Sequence, residues 1–117
     1  MNKLKRLPAK FFLSKTGKMP VREWLLSLSE RDRKAIGDDI CTAEFGWPVG
    51  MPLCRSIAGQ KGLWEIRISL SGGRIARVFF CVHNSHMALL HGFIKKTQKT
   101  PDKELKTAIM RMRGLIK

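Results

Sequence analysis

Two arginines and a lysine pair carry the chemistry most readily read from this chain. Arg67 lies in the alternating stretch Leu63–Leu70, with Trp64, Ile66, Ile68 and Leu70 on one side and Glu65, Arg67 and Ser69 on the other. Arg77 lies in the next such stretch, Arg74–His83, on the side not taken by Val78, Phe80 and Val82. Lys95 and Lys96 end a third stretch, His86–Lys96, and Lys99 lies just beyond it. A guanidinium offers a planar fork to two oxygens and an ammonium adds a point charge, so this set on neighbouring strands suits a phosphodiester. The plainer alternatives are a pairing of Arg67 with Glu65, or charges that only solvate the outer sheet face.

Other chemistries find less support. His91, alternating with Leu89 and Phe93, is the best titrating candidate, although a histidine among apolar strand residues is more often hydrogen-bonded and structural. His83 and His86 sit near an expected hairpin turn, and no metal site or cofactor is expected. Cys41, Cys54 and Cys81 form an odd set without CxxC spacing, so buried reduced thiols are expected rather than disulfides. The chain has no Tyr, no phosphate-binding glycine loop and no nucleophile elbow. Trp24 and Trp64 fall on core faces, which leaves Trp47 as the candidate for stacking on a base.

The elements that must position these groups follow from local pattern. Residues 3–13 read as a short strand or extended arm at a sheet edge. Pro20 opens a helix whose apolar face is Val21, Trp24, Leu25 and Leu28. Ser29 caps a second helix, carrying Ile36, Ile40 and Ala43 inward and ending at Gly46 and Pro48; the two form a helical hairpin over Pro20–Phe45. A loop follows, with a short strand around Leu53–Ile57, then the three strands as an antiparallel meander with turns at Ser71-Gly72-Gly73 and Asn84-Ser85. Thr100 caps a last helix with Pro101 at its first position and Leu105, Ala108, Ile109, Met112 and Ile116 as its apolar stripe; Lys103, Lys106, Arg113 and Lys117 line a neighbouring face. The expectation is one α+β domain over residues 1–117.

Charge narrows the partner. The chain of 117 residues is formally +14, distributed as +6 over residues 1–18, −2 over 19–45, +4 over 46–88 and +6 over 89–117. Basic segments surrounding one mildly acidic one point to an anionic partner. The composition is that of a folded globule, with no apolar run long enough to span a membrane and no signal-peptide pattern, so a cytoplasmic protein is expected.

The stretches Gly62-Leu63-Trp64-Glu65-Ile66-Arg67 and Arg77-Val78-Phe79-Phe80, followed by residues 89–101 (LLHGFIKKTQKTP), resemble the RelE/HigB superfamily of toxins from type II toxin–antitoxin pairs, in its phage-derived HigB-like branch. Residues 20–25 look like that family's first helix, and the resemblance covers roughly residues 19–113. It implies a RelE-like microdomain: a twisted antiparallel sheet with an N-terminal helical hairpin and a C-terminal helix. It also implies a ribosome-dependent mRNA endonuclease, neutralised by a helix-turn-helix antitoxin in a hetero-oligomer. The implied chemistry is metal-free attack of a ribose 2′-OH on the adjacent phosphate. Carried onto this chain, Arg77 stabilises transition-state charge, Arg67 and Lys95 position the phosphate, and Lys96, Lys99, Arg74, Lys103 and Lys106 contact RNA or ribosome. The family's usual tyrosines are here Ala76 and Phe80, and no His follows His91. The alternative reading is therefore a catalytically inactive member that binds nucleic acid or antitoxin as a phage-derived regulator.

Overall fold

The computed structural model describes residues 4–95 and 101–116. Five strands and three helices follow in the order β1 (Ala9–Phe11), α1 (Pro20–Ser27), α2 (Glu30–Gly46), β2 (Cys54–Ser56), β3 (Trp64–Ser69), β4 (Ile75–His83), β5 (His86–Lys95) and α3 (Asp102–Ile116). Local chemistry accounts for most boundaries. Pro20 starts α1, and the Ser29 hydroxyl accepts the Asp32 amide at 3.1 Å to cap α2. Asn84 and Ser85, both with positive φ, make the two-residue turn that pairs His83 with His86. Gly72 and Gly73, at φ 75° and 73°, take the left-handed conformation that the tight connection between β3 and β4 requires.

The sheet order is β1-β5-β4-β3-β2. The meander β3-β4-β5 and the β2–β3 pair are antiparallel, as expected from the sequence, but β1 runs parallel to β5 and makes the sheet mixed. The expectation of an all-antiparallel sheet fails there because β1 and β5 are not consecutive: the chain passes through two helices and three strands between them. Glu44, buried near the end of α2, fixes this edge. Its carboxylate accepts the Ala9 amide at 2.6 Å and meets the Lys5 ammonium at 3.1 Å, while its carbonyl accepts the amides of Arg6 and Leu7.

Both faces of the sheet are apolar, and this corrects the reading of one solvated outer face. Ile66, Ile68, Ala76, Val78, Phe80, Met87 and Leu89 pack with Val21, Ile36, Ile40 and Ala43 from α1 and α2. Phe79, Cys81, Ala88, Leu90 and Phe93 pack with Ala108 and Met112 of α3. Strand β5 serves both by alternation, with a bulge in its middle: Phe79 pairs with His91 but Phe80 with Leu89, leaving Leu90 without a counterpart. The extra residue reverses parity, so Leu89 faces α1 and α2 while Leu90 and Phe93 face α3. Trp47 packs edge-on against Trp64 and Phe80, with ring centroids 5.0 and 5.5 Å apart, so it is core rather than an open platform for a base. Of the three thiols, Cys54 and Cys81 are buried as expected, whereas Cys41 is exposed.

Candidate functional site

Register assembles the basic groups. Arg67 of β3 stands directly opposite Arg77 of β4, and Lys95 of β5 stands opposite Ile75, two residues along from Arg77. Like charges facing each other across a ladder repel, so a sheet keeps such a pair only with compensation. Glu65 supplies it. Its Oε1 accepts from Arg77 Nη1 at 2.6 Å and from Arg55 Nε at 2.9 Å, and its side chain is fully buried. Arg55 reaches it because β2 pairs Arg55 with Glu65. Period-two alternation places Glu65, Arg67, Arg77 and Lys95 on the sheet face that α3 covers over its apolar half.

Among the described residues the cluster therefore holds four cations around one carboxylate. Arg55 and Arg67 are exposed; Arg77 and Lys95 are only 3 % and 6 % exposed. The Lys95 ammonium is held below the usual lysine range, chiefly because burial removes water from it. Arg77, Arg55 and Arg67 push the same way, and Glu65 opposes them. An excess of positive charge backed by a low-dielectric sheet is a ready site for a phosphate.

The remaining candidates lie elsewhere. Arg74 does not join the cluster: its two Nη atoms donate to Asp32 of α2 at 2.7 and 2.9 Å, and these bonds hold the Asp32 carboxyl below its ordinary range. Lys103 and Lys106 are exposed on α3. Lys96, Lys99 and the proposed cap Thr100 lie outside the described residues. His91 is hydrogen-bonded at both ring nitrogens, to Glu104 Oε1 at 3.1 Å and to Arg111 Nη1 at 3.2 Å. Arginine can only donate, so Nδ1 accepts and the neutral ring carries its proton on Nε2, facing the carboxylate. That network joins β5 to α3 and favours the structural reading of His91.

Sequence reasoning missed Arg55 and the role of Glu65. One signal was present, since Glu65 is the only acid within residues 46–88 and shares parity with Arg67. Nothing in local pattern could show that Arg77, rather than Arg67, is its partner.

A family model for phage-derived Gp49-like proteins, DUF891, matches residues 23–113. The chain belongs to that family. Gp49-like proteins are of the RelE/HigB-like toxin type, so the resemblance seen in the motifs holds at the level of toxin type. The match runs from within α1 into α3, taking in Arg55, Glu65, Arg67, Arg77 and Lys95 and leaving β1 outside. No curated protein matches the chain. Among the described residues of this Gp49-like protein, no helix is long and apolar enough to cross a membrane.

Proposed function

We propose that this Gp49-like protein is a toxin of the HigB-like branch: a single-domain, RelE-like mRNA interferase that cuts messages on the translating ribosome in the cytoplasm and is neutralised by a helix-turn-helix antitoxin. The observation that carries the reading is the opposition of Arg67 and Arg77 across β3 and β4, with Lys95 beside them and Glu65 compensating, within a family of toxin type. A like-charged cross-strand pair is costly for folding alone and is useful where a phosphate is to be held.

In this reading Arg67, the exposed guanidinium, receives the phosphate together with Arg55. The ribose 2′-oxygen attacks phosphorus, its proton passing to solvent, and the bond from phosphorus to the 5′-oxygen breaks. Arg77 stabilises the charge gathering on the non-bridging oxygens, and Lys95 gives a proton to the departing 5′-oxygen. The products are a 2′,3′-cyclic phosphate and a free 5′-hydroxyl. Lys96, Lys99 and Lys103 contact RNA or ribosome.

One observation favours a second reading. Arg77 and Lys95 lie almost wholly beneath the surface, as they would in an inactive member that binds RNA or antitoxin through Arg55 and Arg67 alone. Induced expression separates the two. Growth arrest with messages cut inside codons and bearing cyclic phosphate ends, abolished in Arg77→Ala at unchanged circular dichroism, supports the enzyme. Intact growth and messages under wild-type expression, with RNA binding retained by the purified protein, would leave only the binder.

A further inference from the structure

A second surface shares no residue with the arginine cluster. Between the Phe12–Pro20 connection and the outer side of α3 runs an open groove of about 1120 Å³, larger than the roughly 300–1,000 Å³ usual for a small-molecule pocket. Its walls include Phe12, Leu13, Ile109, Met110 and Leu115. Leu13 and Met110 are 54 % and 66 % exposed, so this apolar surface is not buried by the fold itself. Lys15, Lys18, Lys106, Arg111 and Arg113 also line the groove, and among the described residues no Asp or Glu does. Lys106, grouped by sequence with the RNA contacts, stands on its rim.

The chemistry of the walls selects among occupants. An apolar floor under an all-cationic rim complements a chain segment with one apolar and one acidic face. Added strands are disfavoured, because the Ser14–Lys18 wall closes on itself: the Ser14 amide donates to the Lys18 carbonyl at 2.8 Å, the Gly17 amide to the Ser14 carbonyl at 3.0 Å and the Lys18 amide to the Ser14 hydroxyl at 3.0 Å. A groove recognised through side chains rather than main-chain ladders takes a helix. Single-stranded RNA fits less well, since the floor is chiefly aliphatic and Arg111 already lies over the Phe12 ring, 6.0 Å from its centroid.

The geometry points to this groove as the docking site for an acidic amphipathic helix of a protein partner, seated on Leu13 and Met110 with its carboxylates facing Lys15, Lys18, Lys106 and Arg113. The inference stands whether or not the protein cleaves RNA. It is tested on the full chain with a fluorescent synthetic peptide of about 18 residues, leucine at i, i+3, i+4 and i+7 and otherwise glutamate and alanine, against a permuted peptide of identical composition. The patterned peptide is expected to bind at least about tenfold more tightly than the permuted one. Met110→Glu is expected to remove that advantage, while Val82→Glu, at another exposed apolar residue, leaves it unchanged; thermal melting checks that both variants fold. Equal binding of the two peptides, or an unaltered advantage in Met110→Glu, overturns the proposal. So does displacement of the bound patterned peptide by phosphatidylglycerol vesicles or by polyuridylate at matched charge, which would mark the surface as a lipid or RNA site.

Discussion

Glu65 shows how one carboxylate can govern a basic site. Arg77 Nη1 and Arg55 Nε converge on its Oε1 at 2.6 and 2.9 Å, so a buried acid orients guanidinium groups that would otherwise repel one another and Arg67. Arg67, Arg77 and Lys95 were legible from alternation and motif, but Arg55 and the choice of Glu65 partner were not, because parity reports a face and not a neighbour. His91 makes the same point through titration. Burial, the first cause, and nearby Arg111 hold its imidazole below the ordinary histidine value, against the opposing pull of Glu104. The neutral ring is therefore native, and its stabilising contribution is complete above the unfolded value near pH 6.5. It is lost as pH falls through the lower folded value, since the unfolded chain takes up the proton first. Urea unfolding from pH 7 to pH 5 should show stability falling more steeply in the wild type than in His91→Gln, by at most about 1.4 kcal/mol per pH unit. Parallel profiles would mean that His91 does not titrate differently on folding.

At the scale of elements, β5 does the most. Its bulge at Leu90 changes which residues meet which apolar layer, and alternation across Leu89, His91 and Phe93 could not reveal this because a single extra residue reverses every side chain beyond it. Gly92, inside the motif residues His91-Gly92-Phe93, has a packing reason: a Cβ there would collide with the indole of Trp24 on α1. Gly92→Ala should thus force α1 away from the sheet and destabilise the protein by about 1–3 kcal/mol, read as a lower urea midpoint. An unchanged midpoint would show that Trp24 is free to move aside. Helix starts at Pro20 and Ser29 and the turns at Gly72-Gly73 and Asn84-Ser85 were readable, being set by residues within a few positions of each other. The parallel β1 was not readable, because its direction depends on where a strand some 80 residues away comes to lie.

Across the whole molecule, the +14 charge resolves into distinct duties. Arg55, Arg67, Arg77 and Lys95 surround Glu65, Arg74 is taken by Asp32, Arg111 joins His91, and several lysines rim the groove beside α3. If the four clustered cations meet phosphates of single-stranded RNA, log K should fall with log salt with a slope of about −2.8, and Arg67→Ala should reduce its magnitude by about 0.7. A slope near zero would remove phosphate binding from the account. Composition, alternation and motif by themselves determined an α+β class and kinship at the level of toxin type, because each rests on chemistry local in the chain. Tertiary structure alone decided that the sheet is mixed and apolar on both faces. It alone decided which arginine Glu65 binds and that Arg74 stands apart, because those outcomes depend on which distant strands and helices come within hydrogen-bonding reach.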